Sequence, residues 1–374
     1  MCTRSRLTIL LAGCLLIASV DPTTAQDPPP SDTEQPVQED KKPAGAKPPL
    51  KVFGVIQADF YAGDAGGSDG EDSSFFIRRA RLGARGVLTD RIGYRVMVAL
   101  DGTNSDTLAS DVRTFDAYVD VSLTDSLQLR AGQYKYTFDR EGRRSAAALP
   151  LITRSRVANA LAGRLGQAGG AFRDVGVELN GSASQWSYTL GVVNGNGINK
   201  RDNNNDKDVY LRASVEPFSG LNLGAGLFEG TSVITGAESD EQIVTIDAMY
   251  ERGPLAVMGA FYSASYSRRE AVDVEPEGFY LVSTYRVRPR VELALRYQDF
   301  DQDSNSPGRS FDSVDFGATY YFEPRGRWGG LKASFNYLAR SAEAAATSSV
   351  WEERGAGIVG DANDVFLARL QVLF

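Results

Sequence analysis

The chain has 374 residues, 42% hydrophobic and 24% charged, with 40 Lys and Arg against 48 Asp and Glu for a formal net charge of −8. That apolar share excludes a disordered tail and a collagen-like repeat, and a pI near 4.9 excludes a general nucleic-acid binder, which needs positive charge to neutralise phosphates. With no histidine anywhere, histidine-based triads, an HExxH zinc helix and imidazole acid–base chemistry are excluded, so neither an enzyme activity nor a cofactor is expected.

Arg4 and Arg6 precede an apolar run from Leu7 to Val20, and Thr23, Thr24 and Ala25 then stand before Gln26. Charged start, short apolar core and small-residue exit read as a secretory signal peptide, residues 1–25, cleaved after Ala25. The run is shorter than the roughly 20 residues a spanning helix needs. Leu11-Ala12-Gly13-Cys14 offers a rival reading, lipoprotein cleavage at the cysteine, against which the apolar run continues through Leu15, Leu16 and Ile17. Both cysteines, Cys2 and Cys14, fall within the signal, so the mature chain has nothing to form a disulfide. Residues 26–50 hold seven of the 15 prolines and almost no large apolar groups, which reads as an extended, disordered linker.

From Val52 onward the dominant pattern is alternation, clearest in Phe366, Ala368, Leu370, Val372 and Phe374, with Arg369 and Gln371 between them. A period of two means a strand with one apolar and one wetter face. Sixteen such segments are predicted, near 52–61, 75–88, 92–101, 115–123, 127–136, 172–180, 186–193, 208–216, 221–229, 242–251, 254–265, 278–287, 291–300, 313–322, 331–338 and 364–374. Tight gaps, such as Thr124-Asp125-Ser126 and Arg252-Gly253, alternate with long polar ones at 62–74, 102–114, 137–171, 194–207, 230–241, 266–277, 301–312 and 339–363. Strands of this length, even in number and joined by alternating short turns and long loops, predict an all-β transmembrane up-and-down barrel over residues 51–374. A soluble sandwich also alternates but does not require the gap pattern. Aromatics near strand ends, including Phe60, Tyr136, Trp186 and Phe322, fit interfacial girdles, and Phe374 ends the last strand on its apolar face.

Period two also sorts the lumen charges. Arg79, Arg81, Arg85, Arg95, Arg130, Arg212, Arg286, Arg296, Lys332 and Arg369 fall on the inward set, against Asp59, Asp101, Asp116, Asp120, Glu178, Glu216, Asp247, Glu251, Glu292 and Asp315. The wall as a whole is balanced, but Arg79, Arg81, Arg85, Arg95 and Arg130, with Lys135, gather on the early strands as an anion pathway. Asp116 and Asp120 lie among them as cross-strand partners. The longest gap, 137–171, carries Arg140, Arg143, Arg144, Arg154, Arg156 and Arg164 against Asp139 and Glu141, a local net of +4. Folded inward it places guanidinium forks at a constriction; folded outward it is a solvated loop. Asp202, Asn204, Asp206 and Asp208 repeat the alternating oxygen ligands of a calcium loop, but Lys207 and Ala213 stand where its glycine and glutamate belong.

The run Phe75-Phe76-Ile77-Arg78-Arg79-Ala80-Arg81-Leu82-Gly83 resembles the arginine-rich second strand of the phosphate-selective porin O and P family. Phe115 to Val119, Leu129 to Lys135 and Asn203 to Asp208 add matches in the same order. The resemblance implies a sixteen-stranded barrel in the bacterial outer membrane, surrounded by lipid, homotrimeric, and passing small anionic solutes, phosphate or polyphosphate among them, through a basic lumen. Tyr136-Thr137-Phe138 and Tyr285 to Arg290 depart from the family pattern, and lysine is scarce after the linker, which loosens the expectation of phosphate specificity. The competing expectation is a closed or plugged barrel with a structural or adhesive role.

Overall fold

The computed structural model describes residues 50–63, 73–100, 112–136, 138–163, 172–202, 204, 206–234, 237–268, 272–343 and 364–374. The predicted signal peptide and all but the last residue of the linker lie outside them. The strands are β1 Lys51–Gly63, β2 Ser73–Thr89, β3 Ile92–Ala99, β4 Arg113–Thr124, β5 Leu127–Lys135, β6 Arg173–Ala183, β7 Trp186–Val193 and β8 Asp208–Phe218. They continue with β9 Leu221–Ile234, β10 Ala237–Arg252, β11 Leu255–Arg268, β12 Glu277–Arg288, β13 Val291–Asp301, β14 Ser310–Arg325, β15 Gly329–Ala342 and β16 Val365–Leu373.

Each strand pairs antiparallel with its chain neighbours, and β1 pairs with β16, so the sheet closes and leaves no open edge. Side chains alternate as the period of two requires. In β13, Leu293, Leu295 and Tyr297 are exposed on the outer face, while Glu292, Arg296 and Gln298 are buried inside. In β16, Phe366, Leu370 and Val372 face out and Leu367, Arg369 and Gln371 face in. At the seam Asp59 lies opposite Arg369, and the two form an ion pair at 2.6 Å.

Two departures from strict alternation matter. The polar gap 230–241 was expected to be a long loop. Instead β9 and β10 stay paired up to Ile234 and Ala237, with Gln242 donating to Glu229 across the ladder at 3.0 Å. A strand that has left the lipid needs no apolar face, so polarity there does not signal a turn. In β5, Gly132 has φ +127°, and a Cβ at that site would lie 2.3 Å from the Ala117 carbonyl. After this residue Gln133, Tyr134 and Tyr136 are all buried, so counting by twos fails at the end of the strand.

Candidate functional site

The connection from β5 to β6 turns into the barrel. Arg212 Nη1 donates to the Phe138 carbonyl at 3.1 Å, and Gly226 on the wall permits this approach, since a Cβ there would sit 1.9 Å from the same oxygen. Asp139 caps the short helix α1, Arg140–Arg143: its Oδ2 accepts from the Gly142 N–H at 2.8 Å and from the Tyr262 hydroxyl at 2.9 Å. Glu141 accepts from Ser155 Oγ at 2.6 Å and Ser155 N at 2.9 Å, tying the outgoing limb to the returning one.

Between these limbs the segment crosses the lumen. The Ala147 carbonyl accepts from Gln371, Leu149 from Lys332, and Ile152 from Arg369 at 2.9 Å, while Ile152 N–H donates to Asn336 at 2.6 Å. Thr153 then accepts from Arg296, and Arg156 N–H donates to Gln298. Val157, Leu161 and Phe138 pack with Tyr210, Phe228, Tyr262, Tyr280 and Phe300 in one buried cluster. Burial of each such side chain contributes about 1.5–3 kcal/mol, which fixes the loop inside rather than in solvent.

The lumen is therefore unequal around its circumference. On the β8–β16 side inward charges are buried in pairs: Arg212 and Arg140 share Asp247, and Arg296 holds Asp315 at 2.6 Å, while Arg327 reaches the partly exposed Glu251 at 3.1 Å. On the β2–β7 side Arg81, Arg85, Arg95, Lys135 and Arg143 keep partial solvent exposure. Several guanidiniums of this arc lie on aromatic faces. Arg81 and Arg173 sit 3.9 and 3.8 Å from the Phe115 ring, Arg95 lies 4.3 Å from Phe53, and Arg130 lies 4.2 Å from Tyr118. Asp116 bridges Arg95 and Arg173, and Asp120 holds Arg130 at 2.8 Å. Bases in this arc outnumber the acids Asp116, Asp120, Asp174 and Glu178.

Of the predicted anion-pathway residues, Arg79, Arg81, Arg85, Arg95, Arg130 and Lys135 all lie on these early strands. Arg79 donates to Gln57 at 2.8 Å, and Lys135 reaches the Arg144 carbonyl. The predicted constriction arginines divide by the contacts they make. Arg140 is locked to Asp247 and Asn222. Arg154 donates to the Glu141 and Arg144 carbonyls, Arg144 lies between Met249 and Trp328, and Arg156 covers the Phe311 ring at 3.5 Å. These four hold the loop in place through carboxylate, carbonyl and ring contacts. Arg143 differs: it is half-buried, makes one 3.4 Å hydrogen bond, to Thr189, and forms no ion pair among the described residues. Arg164 and Asp101 lie outside the described residues.

Asp202, Asn204, Asp206 and Asp208 are used as loop acceptors. Lys207 lies on the Asp202 carboxylate, Asn204 N–H donates to Asp202 and Asp206 N–H to Asn204, and Asp208 accepts from Thr231 N–H at 3.0 Å. Among the described residues no three acidic, histidine or cysteine side chains converge as metal ligands. Sequence reasoning missed Arg173, because parity counted from Glu178 puts it outside. It also missed Trp328, which stands in a tight turn and points to no strand face.

Burial raises the Asp139 and Glu141 carboxyls. The Gly142 N–H and the Tyr262 hydroxyl partly offset this for Asp139, and Arg296 and Ser155 do so for Glu141. Both acids bind their protons more tightly in the seated loop than in a released one, so seating gains stability as pH falls through the raised values towards 3.8 and 4.5. The seated loop also loses negative charge. Reversal potentials are expected to move towards chloride as pH falls through the raised values, with a smaller shift in Asp139→Asn.

The family model "Phosphate-selective porin O and P" matches residues 50–229. No curated protein sequence matches the chain. Among solved structures, the anion-selective porin from Comamonas acidovorans is 15% identical, with a TM-score of 0.67 over 88% of this chain and 100% of that one. OmpT of Vibrio cholerae in its trimer form is 14% identical, with a TM-score of 0.61 over 88% and 100%. The outer membrane channel DcaP of Acinetobacter baumannii is 14% identical, with a TM-score of 0.59 over 88% and 99%. These likenesses carry the fold. The chain is a bacterial outer-membrane β-barrel of porin architecture, and over residues 50–229 it carries the signature of the phosphate-selective porin O and P family.

Proposed function

We propose that this barrel is a passive channel for small anionic solutes, which move along the β2–β7 arc past Arg143. The observation that carries the reading is the placement of a cation without an ionic partner beside that arc. Burial first, and then the Arg212 guanidinium, push the Arg143 pKa below its ordinary value. An arginine still keeps its proton, and because the opposing Glu178 carboxylate is already shared by Arg130 and the Tyr210 hydroxyl, the Arg143 charge favours an anion next to it. The forks of Arg81 and Arg95, partly exposed and steadied on aromatic faces, suit brief contact with carboxylate or phosphate oxygens, and weak multi-site contact lets the ion leave again. Phosphate is the finer expectation, supported by the family match; the likeness to the anion-selective porin of Comamonas supports the coarser one.

A homotrimer is proposed from the family resemblance and from the trimeric form named for Vibrio OmpT. Residues 1–25 are proposed as the export signal and 26–50 as a periplasmic spacer, from their composition. One observation favours the second reading, a plugged structural barrel: the buried aromatic cluster that fills the lumen beside β8–β13. Arg143→Ala separates the two. The channel reading expects its chloride-over-potassium permeability ratio to fall by about three- to tenfold, the effect of losing one partly desolvated charge of about 1 kcal/mol. An unchanged ratio rejects Arg143 as the selecting group, and silent bilayers with folded protein support the plug.

A further inference from the structure

The turn from β14 to β15, at residues 326–328, folds back under the wall. Arg327 donates to the Gly253 and Pro254 carbonyls of the β10–β11 turn at 3.2 and 2.6 Å, and Trp328 is almost fully buried. The Trp328 carbonyl accepts from Lys332 at 2.5 Å, and the same Nζ donates to Leu149 of the inward loop at 3.3 Å. The indole ring lies 4.5 Å from the Arg144 guanidinium, whose Nη2 also reaches Met249 Sδ at 2.7 Å. The backbone of Arg144 is itself a junction, its carbonyl accepting from Lys135 and from Arg154 at 2.5 Å.

We propose that Trp328 is a positioning residue for selectivity: by seating Arg144 it holds the adjacent Arg143 at the edge of the β2–β7 arc. This rests on the channel reading above. The ring acts through its face and not its N–H, because Trp328 Nε1 is buried without a hydrogen-bond partner among the described residues. A phenyl ring offers a similar, weaker face to a guanidinium, whereas leucine fills space without one.

The test compares wild type, Trp328→Phe, Trp328→Leu and Arg143→Ala as folded, heat-modifiable protein in planar bilayers, reading reversal potential in a potassium chloride gradient. Trp328→Leu is expected to lower the chloride-over-potassium ratio about threefold, the factor a partly desolvated cation–π contact supplies. Trp328→Phe is expected to restore most of it. A ratio equally low in Trp328→Phe and Trp328→Leu means that an aromatic face at this position does not seat Arg144, and overturns the proposal. So does a wild-type ratio in Trp328→Leu when Arg143→Ala lowers it. If Arg143→Ala also leaves the ratio unchanged, the channel reading of Arg143 fails, and this inference fails with it. If Trp328→Leu does not fold, the Phe variant decides through Arg144→Gln: the proposal expects Arg144→Gln to lower the ratio and Trp328→Phe to keep it, and a wild-type ratio in Arg144→Gln overturns it.

Discussion

Replacing residues 138–163 by a short glycine–serine link is expected to raise single-channel conductance roughly fivefold, because sixteen strands without an inward loop enclose a full aqueous channel. The barrel should survive. Its hydrogen-bonded ladder is closed through β1 and β16 and owes nothing to the loop. Anion preference is expected to disappear in the same variant. Asp247, Asp315 and Asp59 then meet water beside Arg212, Arg296 and Arg369, and the lumen wall becomes evenly charged. Ion selectivity belongs to the narrow passage that the loop leaves, since a Debye length of about 8 Å screens charges across a wide one. Unchanged conductance in the loopless barrel would mean that the constriction lies elsewhere.

Asp247→Ala is expected to be the most damaging single substitution in the lumen. Its carboxylate is fully buried and accepts from Arg140 Nε at 2.6 Å and from both Arg212 Nη atoms at 2.5 and 3.0 Å. Removing it leaves two guanidiniums facing each other without compensation, and breaking such a buried pair costs about 3–5 kcal/mol. The loop can relieve part of this by lifting α1 away from the wall, so the loss should appear twice. Urea unfolding followed by tryptophan fluorescence is expected to shift to lower denaturant, and channel recordings should become noisier. Asp247→Asn keeps the acceptor without its charge and should fall between the two. A midpoint equal to that of wild type would show that the pairs are individually dispensable.

Most of the barrel was legible because a membrane strand must obey a strict rule. Phe366, Leu370 and Val372 meet lipid and Arg369 and Gln371 do not, so hydropathy alone sets strand, face and register. Where that constraint lapses, so does the reading. At Glu229 to Gln242 the ladder continues through polar residues, and polarity no longer separates ladder from loop. At the start of β6 the adjacent Arg173 and Asp174 are both buried, so parity counted from Glu178 hid Arg173.

The site was legible as composition and not as geometry. The excess of arginine in the loop marked its importance, yet charge counting could not distinguish Arg143, left without an ionic partner, from Arg140, fixed on Asp247. Those partners lie about a hundred residues apart in the chain and meet because the loop crosses the lumen. Trp328 was equally hidden, since nothing local to Gly326-Arg327-Trp328 shows that its ring lies on a guanidinium of another loop.

The central claim is that the β2–β7 arc of this barrel conducts anions. Reversal potential of the wild-type protein in a planar bilayer, across a potassium chloride gradient and then with phosphate titrated in, tests it most directly. Open channels that prefer chloride, with current reduced by added phosphate, are the expected result. Cation preference would mean that Asp116, Asp120 and Glu178 outweigh the arginines around them, and would contradict the account.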